Sequence, residues 1–469
     1  MPFDFTIDLT GAQIYLQDLF AQTPAGIIWI LFKDGGWIIL PILAFLGGRL
    51  FWLEYHKEKF ARGFKFVLLA IDLPKLNEQS PKAVEHIFSH LSSAFGSSTF
   101  KEKWWLGKHN VPISLEIISI DGYIQFLVRC VVKYRDLVEA AIFAQYPDAE
   151  IIEVEDYTEN VPQHFPAEGW QMWGLDFVLS KPNAYPIRTY PQFEHGLTGE
   201  FKDPMSSFLE ALSRVVPGTQ IWLQILLMPA DDDWKESVTK EVMKLIGRKV
   251  KAKETLLSKV GSVPQSLIES ISSAVLYGTI GPGEEVKKRE ERQPGMMDLT
   301  PGEVEVIKAI QFKVGKVAFE TKIRVVFIGK KELLDIGKYY ALIKGAFQQF
   351  KAANLNGFRM YGKTTPSADY FWERNKIFEY LSLGFQTTWH TRQNRLMRAY
   401  KKRSMKLGAP PNILNIEELA TIFHFPVMTV KAPLVKKSEV KRAEPPFTLP
   451  TSSGALLRPV KNEKIENSK

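Results

Sequence analysis

Gly357-Phe-Arg-Met-Tyr-Gly362-Lys363-Thr364 matches, position for position, the loop that cradles nucleotide phosphates. In such a loop the backbone amides and the lysine hold the phosphates, while the hydroxyl serves Mg2+. The loop works only between a buried strand and a helix that begins at the lysine. The flanking sequence predicts neither. A helix is expected before Gly357, the residues between the two glycines read as a strand, and Pro366 falls where the helix must run. Gly357, Gly362, Lys363 and Thr364 are therefore expected to be a coincidental match, and no cofactor is expected. A nucleotide-dependent enzyme using Lys363 and Thr364 stands as the alternative.

A second group with possible chemistry is the basic run Arg392, Arg395, Arg398, Lys401, Lys402, Arg403 and Lys406, spaced by Leu396, Met397, Tyr400 and Met405. Such a run can neutralise phosphates with release of counterions, or meet acidic lipid, DNA or an acidic protein. It carries nothing that reads bases, so a solvated helix face is the competing reading. His86 and His90 lie four apart with Glu85 beside them, but no third ligand is suggested and no metal site is expected. Asp231-Asp232-Asp233 reads as the cap of the next helix. Cys130, the one cysteine, sits within the alternating Phe126–Val132 and reads as core, which excludes a disulfide framework within the chain. A Gly-x-Ser-x-Gly elbow and a Cys-His pair are both missing. The expectation is a protein that is not an enzyme.

These groups must be carried by ordinary globular material. Of 469 residues, 45% are apolar and 24% charged, enough for two or three cores, and the formal charge is +8. One stretch departs from this. Trp37 to Leu53 is apolar apart from Arg49, and with Gly35 and Gly36 it approaches the ~20 residues of a membrane-spanning helix. The expectation is an N-terminal transmembrane helix over about residues 35–53, carried by Trp37, Leu40, Phe45, Arg49 and Trp52 within a leading segment 1–63, with membrane lipid as its partner. His56, Lys57, Lys59, Arg62 and Lys65 follow it, while Asp4, Asp8, Asp18, Lys33 and Asp34 precede it. That charge order predicts a single-pass inner-membrane protein with its N-terminus outside and the rest cytoplasmic. Residues 11–32 are expected to lie along the outer interface or to form a re-entrant hairpin broken at Lys33-Asp34-Gly35-Gly36.

Beyond the anchor the fold class expected is α+β, with two ferredoxin-like βαββαβ modules. In residues 64–160 strands are expected at Phe64–Leu73, Ile113–Ile120, Tyr123–Lys133 and Glu150–Val154. Helices are expected after Ser80-Pro81 and over Tyr134–Tyr146, with Asp121-Gly122 as a hairpin turn. Residues 168–362 repeat the order with strands at Trp173–Ser180, Thr219–Met228, Val317–Ile328 and Phe358–Tyr361. A helical insert of about residues 230–300 interrupts them, and Thr300-Pro301-Gly302-Glu303 restarts order as a capping box. A basic helical and connector region, 363–433, and a Pro-rich tail, 434–469, expected to be disordered, complete the chain.

Several blocks carry a resemblance. Phe66-Val-Leu-Leu-Ala-Ile-Asp-Leu-Pro74, Asn77 to Glu85, Ala144 to Glu150, Glu155-Asp-Tyr-Thr158 and Phe201-Lys-Asp-Pro-Met205 resemble a bacterial family of single-pass membrane proteins. That family is similar to the N-terminal, non-motor part of type IV secretion and conjugation ATPases. Asn415 to Pro426, Val430-Lys-Ala-Pro433 and Ala443 to Pro450 are similar to the connector those ATPases place before their motor domain. The resemblance spans Trp37 to Pro450 and implies a scaffold or adaptor. Its implied partners are a separate motor ATPase, another secretion-system protein or further copies of itself. The motor's own motifs are not matched, so ATP hydrolysis does not carry over. A membrane-anchored nucleic-acid-binding protein is the second alternative.

Overall fold

The computed structural model describes residues 23, 32–33, 39–74, 79–96, 99–193, 202–246, 299–367, 388–426 and 442–443. The chain divides into two units, residues 1–65 with 96–111, and residues 66–95 with 112–469.

In the first unit α1 (Ile39–Ala61) is met by the short turn of helix Glu102–Leu106. The Trp52 indole donates to the Trp104 carbonyl at 3.2 Å, and the Arg49 guanidinium lies over the Trp104 ring. Gly107, at φ +67°, lets the two segments touch: a Cβ there would stand 2.2 Å from the His56 carbonyl carbon.

The expected membrane anchor is overturned here. Among the described residues no helix is long and apolar enough to cross a membrane. The reason lies in where the apolar character stops. Within α1 it ends at Leu53, and Glu54, Lys57, Glu58 and Lys59 occupy the remaining turns. Among the described residues its apolar part, Ile39 to Leu53, spans about 22 Å at ~1.5 Å per residue, short of ~30 Å of hydrocarbon. Leu40, Phe45, Arg49 and Trp52 belong to this helix, whereas Trp37 lies outside the described residues. The single-pass inner-membrane placement and its inside-outside orientation lose their basis with the anchor.

Among the described residues the second unit is built on one ten-stranded sheet. Its strands are β1 (Phe66–Asp72), β2 (Ile113–Ile120), β3 (Tyr123–Val131), β4 (Glu150–Val154), β5 (Trp170–Leu179), β6 (Thr219–Pro229), β7 (Ala318–Lys330), β8 (Phe358–Met360), β9 (Asn412–Asn415) and β10 (Arg442–Ala443). They run in the order β10-β4-β1-β3-β2-β6-β7-β5-β8, with β9 added on β7. The expectation of two separate ferredoxin-like modules is thereby corrected. β2 and β6 pair antiparallel from Ile113 opposite Leu227 to Ile120 opposite Gln220. That ladder makes interior strands of what would be two module edges, so their backbone groups are satisfied by each other instead of by solvent. Asp121 and Gly122 turn the β2-β3 hairpin with φ of 54° and 88°, the left-handed pair a two-residue turn requires.

Period-two alternation divides the sheet's residues between its faces. Leu69, Leu115, Val128, Leu175, Leu223 and Val325 face one core with α2 (Pro81–Leu91), α3 (Arg135–Gln145), α4 (Met205–Ser213) and α7 (Ile336–Gln348). α9 (Ile416–Ile422) joins them through Leu419 and Ile422. The opposite face carries Leu68, Ala70, Ile118, Leu127, Trp222 and Val326 and is covered by α8 (Thr388–Lys401) through Leu396, Met397 and Tyr400. Gly174 on β5 makes room for that helix: a Cβ there would sit 2.5 Å from the Val325 carbonyl oxygen and 2.8 Å from the Leu396 side chain. Of the expected insert, α5 (Asp233–Leu245) is described, where Trp234 and Val238 pack with Ile310 of α6 (Pro301–Val314). Thr300 and Glu303 close a capping box at the start of α6. The remainder of that insert, residues 247–298, lies outside the described residues. So does the expected disordered tail, apart from Arg442 and Ala443, which pair with Ile152 and Ile151.

Candidate functional site

The sheet face under α8 is crossed by a single row of residues in register. Ala70 stands opposite Leu127, Leu127 opposite Glu116, Glu116 opposite Gln224, Gln224 opposite Arg324, and Arg324 opposite Asp176. The row is apolar on β1 and β3 and polar on β2, β6, β7 and β5. Its four polar members are 0–2% exposed. An unpaired charge there would cost several kcal/mol, so the pairing decides whether the row is tolerable.

Every one of them is paired. Arg324 donates from Nε to Asp176 Oδ1 at 2.8 Å, from Nη1 to Gln224 Oε1 and the Ala399 carbonyl, and from Nη2 to the Ser404 and Leu407 carbonyls. The second Asp176 oxygen accepts from the Ala409 amide at 2.8 Å. Glu116 is held by Arg403, whose Nε lies 3.0 Å from Oε1 and Nη2 3.2 Å from Oε2. It also accepts from Ser114 Oγ at 2.6 Å, Tyr157 OH at 2.8 Å and Gln224 Nε2 at 3.2 Å. The other side of the Arg403 fork grips Asp156, and Tyr157 and Tyr400 share a hydrogen bond of 2.7 Å. α8 and the turn after it thus bring four carbonyls, those of Ala399, Tyr400, Ser404 and Leu407, and one guanidinium down onto a carboxylate, an amide, a guanidinium and a second carboxylate.

The electrostatics follow from this closure. Burial pushes the Glu116 carboxyl up, but the charge and hydrogen bonds of Arg403, with those of Ser114 and Tyr157, outweigh it and hold the group below the usual carboxylate range. Asp156 is held low in the same way, burial opposing and Arg403 prevailing. Burial and the Glu116 charge push the Tyr157 and Tyr400 hydroxyls far up, so both remain neutral. Arg129, stacked over Phe66 at 3.9 Å, is brought down to about 10 by burial and by Arg403. Lys322, next along β7 from Arg324 on the same face, is brought down to about 8 by burial and by the Arg324 charge.

The other face of the sheet is stapled as well. Lys313 Nζ lies 3.0 Å from Glu418 Oε2 and donates to the Ile413 carbonyl at 2.7 Å, while Lys316 bridges Glu85 and Glu417 at 2.6 Å each. His424 places Nδ1 2.7 Å from the Ala420 carbonyl and Nε2 2.8 Å from Asp203. Residues 388–426 therefore run over both faces, α8 on one and β9–α9 on the other.

The basic run read from the sequence is split by this arrangement. Arg403 is 2% exposed and committed to the clamp. Arg392 donates to Ser367 Oγ at 3.1 Å. Lys401 is half-buried and its amine has no hydrogen-bond partner among the described residues. Arg395, Arg398 and Lys402 are exposed on the outward side of α8 and the turn that ends it, and Lys406 is exposed farther on.

The phosphate-loop match does not form a cradle. Phe358–Met360 is the edge strand β8, Gly362 to Thr364 is a turn, and no helix begins at Lys363. Gly357 is a packing glycine, whose Cβ would stand 2.8 Å from the Lys351 side chain. His86 and His90 are exposed on α2, and among the described residues no cluster of three or more His, Cys, Asp or Glu could hold a metal ion. Cys130 is buried, with its thiol pushed up to about 12 by burial and by Glu139. Asp232 takes the N-cap of α5, but its carboxylate pairs with Lys235 at 2.7 Å.

Sequence reasoning missed Glu116, Asp156, Asp176, Gln224 and Arg324. A signal for four of them was present: each is a charged or amide residue with an apolar neighbour on either side in its strand, as in Leu115-Glu116-Ile117 and Ile323-Arg324-Val325.

Fold and site together define an α+β protein whose single broad sheet is locked to its C-terminal segment by buried ion pairs. Residues 96–437 match the model of a protein family described as a domain of unknown function, DUF8128, and the chain belongs to that family. The matched span contains every polar member of the row and of the clamp. No curated protein matches the chain.

Proposed function

We propose that the chain is a non-enzymatic scaffold or adaptor that docks a separate motor ATPase, of the kind found in type IV secretion and conjugation, or assembles with further copies of itself. The observation that carries this reading is the use made of charge on α8. Arg403 and Arg324 are spent inward on fixing the helix, and Arg395, Arg398 and Lys402 are thereby held outward as a cationic stripe on a rigid base. A preorganised charged surface of this kind steers and orients an acidic partner without paying for its own ordering. The resemblance of the sequence blocks to the non-motor part of those ATPases supports the identity of the partner.

The triple variant Arg395→Glu/Arg398→Glu/Lys402→Glu tests it. Exposed substitutions of this kind leave stability within about 0.5 kcal/mol, so the thermal melt is expected to stay near that of the parent chain. Recovery of a motor ATPase with the tagged chain, read by mass spectrometry, is expected to fall at least about tenfold. No motor ATPase with the parent chain, or equal recovery with the variant, counts against the reading. Duplex DNA binding that the variant loses, with a log-affinity against log-salt slope of about −3 for three phosphate contacts, replaces it with a nucleic-acid binder.

A further inference from the structure

The polar row and α8 occupy only part of the sheet face they share. Toward the β2-β3 hairpin the same face carries Ile118, Ile120 and Leu127 with Ala70 of β1, and there a cavity of about 360 Å³ opens on it, walled by Val154 and by the turn Tyr157–Asn160. A cavity of that size with an apolar floor suits a small molecule. Its wall is fixed, because Tyr157 is committed on the side away from the cavity. The hydroxyl is bonded to Glu116 and Tyr400, and the ring meets Trp222 edge to face at 5.0 Å. A ligand entering here therefore does not have to order the site.

The charge at the cavity has one sign. Among the described residues that line it, the charged ones are Asp121 and Glu155, both acidic, in a chain whose formal charge is +8. Asp121 gives Oδ1 to the Gly218 amide at 2.7 Å, whereas its Oδ2 and the whole Glu155 carboxylate have no hydrogen-bond or ion-pair partner among the described residues. Gln125 does not answer them, since its amide nitrogen is given to Asp72 Oδ1 at 2.9 Å and to the Ile71 carbonyl at 3.4 Å. The ring of Tyr123, 44% exposed, lines the same cavity and offers a face that attracts cations. We propose that this cavity binds a small organic cation, an ammonium carried on an aromatic body. The body rests on Ala70, Ile118 and Leu127 beside the two tyrosine rings, and the ammonium answers the two carboxylates. A neutral molecule of the same shape gains only the floor, and an anion is repelled at the rim.

Calorimetric titration of the full chain at neutral pH with three indole probes tests the site, and it needs no partner protein. The probes are tryptamine, a cation, its neutral isostere tryptophol, and indole-3-propionate, an anion. Tryptamine is expected to bind at one site per chain, at least about tenfold more tightly than indole-3-propionate, with tryptophol between them. Asp121→Asn with Glu155→Gln keeps the shape and the Gly218 contact but removes both charges, and it is expected to bring tryptamine down to the affinity of tryptophol. Ile120→Trp, at a half-buried lining position, fills the cavity and is expected to abolish binding of all three, with a thermal melt showing that the chain stays folded. No saturable tryptamine binding up to about 5 mM would overturn the proposal. Equal affinity for the three probes, or tryptamine binding that neither variant changes, would overturn it as well.

Discussion

Replacing Arg403 by Ala is expected to lower the free energy of unfolding by about 3–5 kcal/mol, because it leaves the Glu116 and Asp156 carboxylates facing each other with no cation between them. Urea denaturation measures it, with the midpoint falling at unchanged slope. Arg403→Lys is expected to recover little, since an ammonium cannot reproduce a fork that reaches two carboxylates at once. The double variant Arg403→Met/Glu116→Leu is expected to cost less than the sum of its single changes, as the fully buried charge leaves together with its partner. The acid limb carries the same signature. Glu116 and Asp156 are held below their ordinary values in the folded chain, so their contribution is complete above an unfolded value near ~4 and is lost as the pH falls through the folded values. In Arg403→Ala that acid-dependent loss is expected to shrink.

Ending the chain at residue 387 is expected to abolish cooperative folding of the second unit, whereas ending it at residue 443 is expected to preserve it. The shorter chain loses α8, β9 and α9 together. Arg324 then loses three carbonyl acceptors, Asp176 the Ala409 amide, and Glu116 the Arg403 cation, each at a buried group whose hydrogen bonds were made inside the protein. Leu396, Met397, Tyr400, Leu419 and Ile422 leave both cores at once. At roughly 1.5–3 kcal/mol for each large apolar side chain, that alone exceeds the margin of a typical domain. Thermal melts followed by circular dichroism distinguish the two truncations. A sigmoidal melt for the shorter chain would show that the C-terminal segment is an appendage.

Much of the local structure was legible because it is written locally. Alternation located β2 and β3 to the residue at most ends, Asp121-Gly122 fixed the turn between them, and Thr300 with Glu303 located the start of α6. The pairing of β2 with β6 was not legible. Nothing within Ile113–Ile120 distinguishes a strand that ends a module from one that continues into the next, and register across a hundred residues is set by both faces of the finished sheet. The anchor reading failed for a related reason: hydropathy over Trp37–Leu53 said nothing of how far the helix continues into Glu54–Ala61. The candidate site divided along the same line. The basic run was visible as a run, but its sorting into an inward Arg403 and an outward Arg395, Arg398 and Lys402 depends on the end of α8. There Arg403 takes φ of 48° just past the helix and turns its side chain under the sheet-facing edge. Glu116, Gln224, Arg324 and Asp176 could each be noticed as a polar residue out of place, while their alignment required the register of four strands.

Native-state hydrogen exchange on α8 tests the locked sheet most directly. With Leu396, Met397, Ala399 and Tyr400 buried, the C-terminal end of the helix tied to the polar row and its earlier turns tied to the Met172 and Phe165 carbonyls through Gln393 and Asn394, their amides are expected to exchange only through global unfolding. Their opening free energy should then equal that of the central strands β6 and β7. Exchange of these amides within minutes, while β6 and β7 stay protected, would mean that the helix lifts off on its own and would contradict a rigid base for the cationic stripe.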